Sequence, residues 1–125
     1  MSIILLVEDD RFLSDTVKSY LEFKQYEVDR AFEGPEALEK MKFGKYDLII
    51  LDWQLPGMDG PDVCQNYRQG GGAVPILMLT GRSDPKEIAK ATEAGATGFL
   101  PKPFKLDQLD KTLSKMLGET VQSKG

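Results

Sequence analysis

Three stretches of the chain are apolar without interruption: Ile3-Ile4-Leu5-Leu6-Val7, Leu48-Ile49-Ile50-Leu51 and Ile76-Leu77-Met78-Leu79. Short runs with no polar alternation predict strands buried on both faces. Weaker strands are predicted over Glu27–Phe32, where Val28 and Ala31 are apolar, and over Gly98-Phe99-Leu100. Between the strands the period changes. Phe12, Leu13, Thr16, Val17, Tyr20 and Leu21 recur at helical spacing, which predicts a helix over Arg11–Phe23, with Asp9 or Asp10 available to cap it. Pro35 opens a second helix and Gly44 ends it. Pro61–Gln69 reads as a third, broken by Gly70-Gly71-Gly72. Asp84 caps a fourth, Pro85 begins it and Gly95 stops it; its apolar face (Ile88, Ala91, Thr92) is thin. Leu106, Leu109, Leu113, Met116 and Leu117 carry a fifth. Strict alternation with short connections predicts an α/β fold: a five-stranded parallel sheet with right-handed crossovers and helices on both faces. The pattern gives one domain over residues 1–118 and a polar tail over residues 119–125.

Composition narrows the chemistry. The chain has 125 residues, a net charge of −4, no histidine and one cysteine, Cys64. That excludes an internal disulfide, a Cys/His zinc site, and any Ser-His-Asp or Cys-His catalytic group. The acidic balance offers no basic face for nucleic acid. No run approaches the length of a membrane helix, and Glu8, Asp9 and Asp10 cut short the first apolar run before it could serve as a secretion signal. With one free thiol, the expected compartment is the cytoplasm.

In a parallel sheet, ligands gather beyond the carboxyl ends of the strands. The residues that end the apolar runs are Glu8-Asp9-Asp10, Asp52, Thr80 and, after the last strand, Lys102. Singly, each has an ordinary reading: Asp9 and Asp10 as helix caps, Thr80 as a turn cap, Lys102 as a solvated lysine. Together they suggest a site. Asp9, Asp10 and Asp52 would repel one another unless a hard divalent cation lay between them, and Mg²⁺ takes carboxylates, waters and phosphate oxygens. Asp52 could then serve as a nucleophile forming an acyl phosphate. Thr80 and Lys102 would bind the phosphoryl oxygens, one as a hydroxyl donor and one as a point charge.

Over about residues 3–117 the chain resembles the receiver domains of two-component response regulators. The matching pieces are Leu6-Val7-Glu8-Asp9-Asp10, Leu51-Asp52 with Pro56-Gly57-Met58-Asp59-Gly60, Leu79-Thr80-Gly81 and Lys102-Pro103-Phe104. The resemblance implies a flavodoxin-like (βα)5 three-layer sandwich with strand order 2-1-3-4-5. It implies that Asp52 accepts a phosphoryl group from a phosphohistidine on a sensor histidine kinase or a histidine phosphotransfer protein. It further implies that Asp9 and Asp10 organise Mg²⁺, with Asp10, Asp52 and the backbone carbonyl of Gln54 as direct ligands. Lys102 would contact the phosphoryl group, and Lys102-Pro103 would be a cis peptide. Thr80 and Phe99 would form the two-state switch, and Gln54 and Arg82 occupy positions that tune dephosphorylation. The reader of the signal would be a downstream effector or a fused output domain outside this chain. Trp53 is unusual; it shields the site, contacts the kinase or anchors the loop.

Three other readings compete. A haloacid-dehalogenase-like phosphatase also forms an aspartyl phosphate, but needs a second Asp two residues on, where Gln54 stands. A flavodoxin-like cofactor binder needs a Ser/Thr/Gly-rich cradle after the first strand, where Glu8-Asp9-Asp10 would repel phosphate. A degenerate receiver used as an interaction module would lack some of the five key positions, all of which are present. The expectation is therefore a signalling receiver, not a conventional enzyme.

Overall fold

The computed structural model describes residues 2–81 and 84–118. Arg82 and the tail predicted over residues 119–125 lie outside the described residues. The elements run β1 (Ile3–Val7), α1 (Arg11–Phe23), β2 (Glu27–Ala31), α2 (Gly34–Phe43), β3 (Leu48–Asp52), α3 (Gly60–Gln69), β4 (Ile76–Thr80), α4 (Pro85–Ala94), β5 (Gly98–Pro101) and α5 (Leu106–Met116). All strand pairs are parallel and the sheet order is β2-β1-β3-β4-β5. The alternation and the three apolar runs therefore correspond to the observed sheet.

The differences are small and physical. β2 stops one residue before the predicted Phe32, because the Phe32 N–H leaves the ladder and donates to the Glu36 carboxylate at 2.8 Å. β3 and β4 each run on through a polar residue, Asp52 pairing with Leu79 and Thr80 with Pro101. The two residues expected to form the chemistry are thus held by sheet rather than by loop.

Side chains alternate across a strand, so the sheet has two cores. On one face Leu5, Val7, Ile49, Leu51, Ile76 and Met78 meet Ala37 and Met41 of α2, Val63, Cys64 and Tyr67 of α3, and Ala91 of α4. On the other, Ile4, Leu6, Leu48, Ile50, Leu77, Leu79 and Leu100 meet Val17 and Leu21 of α1 and Leu109 and Leu113 of α5. Each fully buried aliphatic side chain contributes about 1.5–3 kcal/mol relative to exposure. The alternation also sorts the polar ends. By that alternation Glu8 continues the row of Ile4 and Leu6 and Asp52 the row of Leu48 and Ile50, and Lys102, just past β5, meets both. Thr80 continues the row of Ile76 and Met78, on the α3/α4 side.

Candidate functional site

Each strand delivers its polar residue at its carboxyl end. Glu8 follows β1 and is 1% exposed; Asp52 ends β3 and is 5% exposed; Thr80 ends β4 at 4%. Lys102 is brought in by β5, its N–H donating to the Thr80 carbonyl at 2.7 Å, and the Lys102–Pro103 peptide is cis. Its ammonium bridges two acids, lying 2.8 Å from Glu8 Oε1 and 3.0 Å from Asp52 Oδ1. The second Glu8 oxygen accepts from the Asp10 N–H at 3.1 Å. Asp52 Oδ1 also accepts from the Trp53 N–H at 3.0 Å.

Glu8, Asp9 and Asp52 bring carboxylate oxygens within 4.8 Å of one another. Asp10 is elsewhere: it is the N-cap of α1, its Oδ1 accepting from the Leu13 N–H at 3.1 Å. The acids expected to organise a metal are Asp9 and Asp10; among the described residues, the carboxylates close enough together to hold one ion are those of Glu8, Asp9 and Asp52. The physical reason is that a helix N-terminus leaves backbone donors unsatisfied, and the acid next to it is taken up satisfying them. Sequence reasoning named Glu8 among the residues that end the apolar runs but gave it no part in holding a metal or the lysine. The signal was available in the strand period, since Glu8 stands to Leu6 as Asp52 stands to Ile50.

Electrostatics follow from one ammonium serving several acids. Burial and then the charge of Glu8 push the Asp52 carboxyl up to about 7, against the pull of Lys102. Burial works against the Lys102 charge, but its hydrogen bond to Glu8 and the charge of Asp52 win and hold it above its usual range.

A cavity of about 470 Å³ opens over this cluster, with Asp52, Thr80 and Lys102 at its base and Trp53, Gln54, Glu87 and Lys90 around it. Gln54 is exposed at this rim. Trp53 is half-buried and packs on the α2/α3/α4 core, with the Lys90 ammonium 6.0 Å from the centre of its ring. Phe99 is half-buried on the same core face as Thr80, paired in register with Met78. The loop after Asp52 is fastened behind the site. A Cβ on Gly60 would stand 2.4 Å from the Asp52 carbonyl oxygen and 3.0 Å from Trp53 Cα, so α3 can begin here only without a side chain.

No helix among the described residues is long and apolar enough to cross a membrane.

The family model for the response regulator receiver domain matches residues 4–114. The response regulator MprA of Mycobacterium sp. (strain KMS) is 37% identical over 122 residues, covering 98% of this chain and 53% of that protein. The chain thus spans about half the length of the curated relatives it matches. Among solved structures, the chemotaxis protein CheY4 of Vibrio cholerae superposes with a TM-score of 0.87 at 36% identity, covering 93% of this chain and 98% of that one. The Francisella response regulator 1452 receiver domain gives a TM-score of 0.90 at 25% identity, covering 96% and 99%. The receiver domain of sensor histidine kinase PA1611 from Pseudomonas aeruginosa, solved with a magnesium ion coordinated in its active-site cleft, gives 0.86 at 30% identity, covering 94% and 98%. With a sheet in the same strand order and these relatives on both counts, the chain belongs to the receiver domains of two-component response regulators.

Proposed function

We propose that Asp52 accepts a phosphoryl group from a phosphohistidine on a sensor histidine kinase or histidine phosphotransfer protein, with Mg²⁺ held at the acid cluster. The observation that carries this reading is the charge balance at the sheet edge. Three carboxylates stand beside one ammonium, Lys102 pairing with Glu8 and Asp52, and with all three acids ionised two negative charges are left over, the charge of one divalent cation. An all-oxygen donor set suits a hard ion such as Mg²⁺. Asp9 and Asp52, with Glu8 beside them and the main-chain carbonyl of Gln54, are the groups that would hold it. When bound, it supplies charge neutralisation for the transferring group.

The chain's own residues do the rest. An Asp52 carboxylate oxygen forms the bond to phosphorus while the P–N bond to the donor imidazole breaks, and the nitrogen keeps the electron pair. Lys102, already touching Asp52, favours the ionised nucleophile and offers its charge to the phosphoryl oxygens. Thr80, one strand over, supplies a hydroxyl on the other side. Gln54 and Arg82 set how water reaches the acyl phosphate. Phe99 shares the Thr80 face, so a movement of Thr80 is passed to the surface an effector or output domain outside this chain would read. The chain takes the group and holds it, which makes it a signalling element rather than a conventional enzyme. The exchange is read as cytoplasmic, in keeping with a single cysteine that stays free.

The test is phosphorylation by acetyl phosphate with Mg²⁺, followed by intact mass. The wild-type chain is expected to gain one phosphoryl group and Asp52→Ala none. A wild-type chain that gains no mass overturns the reading.

A further inference from the structure

Helix α4 is held unevenly. At its carboxyl end Arg68 of α3 donates to the Gly95 carbonyl at 3.0 Å, the Gly72 carbonyl at 3.2 Å and the Thr97 hydroxyl at 3.4 Å. Gly95 sits at φ 108°, and a Cβ there would stand 2.6 Å from Arg68 Cγ. That end is clamped. Ahead of it, Ala91 is the buried residue of α4.

Lys90 stands next to Ala91 and forms a wall of two cavities. One is the site cavity of about 470 Å³ above Asp52, Thr80 and Lys102. The other, of about 250 Å³, lies between α3 and α4 and is lined by Asp62, Gln65 and Glu93. The Lys90 ammonium lies 6.0 Å from the Trp53 ring centre. Its charge also reaches Asp62, where it opposes the upward push that Asp59 exerts on that carboxyl. A lysine ammonium rides on a flexible four-carbon stem. One mobile cation therefore borders acids in both cavities, and Trp53, whose N–H bonds Asp52, lines the first of them with it.

We propose that Lys90 is a charge-responsive latch: it is shared between the Trp53 ring and the acids of the α3–α4 cavity until a phosphoryl group on Asp52 draws it into the site cavity. This rests on the phosphoryl-acceptor reading of Asp52. A phosphoryl group brings up to about two negative charges where the carboxylate had one. The middle of α4 follows the ammonium, while Arg68 keeps the far end in place. Lys90 is thus a positioning residue with two arrangements, and both sites bias it.

The experiment is amide hydrogen exchange over α4 in the full chain, with and without beryllofluoride and Mg²⁺, for wild type, Lys90→Met and Lys90→Arg. Variants are compared at saturating beryllofluoride, and a parallel reaction with acetyl phosphate, read by phosphoryl mass gain, checks that Asp52 of each still accepts the group. Lys90→Met is expected to shrink the α4 response about threefold, within the range of a partly exposed charge pair. Lys90→Arg, which keeps the charge, is expected to restore it. An undiminished response in Lys90→Met overturns the latch alone, and so does a Lys90→Arg chain that behaves like Lys90→Met. A wild-type chain that never gains the phosphoryl mass takes down the acceptor reading as well.

Discussion

Glu8 and Lys102 lie 94 positions apart in the chain and meet at 2.8 Å. Glu8 is 1% exposed, so its charge has little water to turn to. Removing one partner of a buried pair strands the other, at a cost of about 3–5 kcal/mol. Because the Lys102 side chain keeps 26% of its exposure, the lower end applies. Lys102→Met is expected to lower stability by about 3 kcal/mol in EDTA, read from urea unfolding, and to recover part of that loss when Mg²⁺ is added. An unchanged urea midpoint would show that Glu8 has found another partner.

Asp52 is the opposite case, a carboxylate whose ionised form is the costly one. Its folded value lies near 7, against an ordinary value of 3.8. The folded state therefore binds the proton more tightly than the unfolded chain, and this group's contribution to stability falls as pH rises between those two values. Asp52→Asn removes that loss. It is expected to raise stability on the order of 2 kcal/mol at about pH 8 in EDTA, and by much less at about pH 5. A gain of equal size at both pH values would place the titration elsewhere.

The adjacent acids Asp9 and Asp10 have separate duties, and single variants separate them. Asp10→Ala loses the cap on Leu13 and is expected to cost about 1 kcal/mol while leaving Mg²⁺ affinity nearly unchanged. Asp9→Ala is expected to leave stability alone and weaken Mg²⁺ by more than about tenfold, since even outer-shell partners bring losses of that size. The one tryptophan in the chain, Trp53, adjoins Asp52 and gives the fluorescence signal for both titrations. If Asp10→Ala proves the weaker binder, the cluster has been assigned to the wrong pair.

Gly60 backs directly onto the peptide of Asp52. Its Cβ would meet backbone atoms, at 2.4 Å from the Asp52 oxygen, and backbone cannot rotate aside. Gly60→Ala is expected to cost about 2–3 kcal/mol and to slow phosphorylation of Asp52. Gly70→Ala is the control, because the nearest atoms to its Cβ lie at 3.6 Å, an ordinary contact. Equal urea midpoints for the two variants would mean the loop can yield.

The sheet and its order of elements were legible because parallel strands covered on both sides leave a strong signal, as in Leu48-Ile49-Ile50-Leu51. Asp52, Thr80 and Lys102 were legible for a related reason: each is the polar residue that closes such a stretch. Glu8 and Asp10 were not told apart. Three acids in a row occupy a strand end, a connection and a helix cap, and composition does not distinguish these places. What separates them is direction, with Glu8 turned toward Lys102 and Asp10 toward the Leu13 N–H. The clamp made by Arg68 left no trace in the pattern either, because two of its three partners are the carbonyls of Gly72 and Gly95, set by chain path rather than by residue type.

Parallel strands put the amino ends of the following helices at the same edge as the acid cluster. There the helix dipoles point their positive ends and free N–H groups outward, a natural seat for an anion. In this chain three of those seats are filled from within: Asp10 caps α1, Asp59 caps α3 and Asp84 caps α4. At these three ends an incoming anion finds one backbone donor of each helix already engaged, the N–H groups of Leu13, Asp62 and Glu87. Its recognition passes to side chains, which can move, and a group held by movable side chains is one whose arrival can be felt elsewhere in the fold.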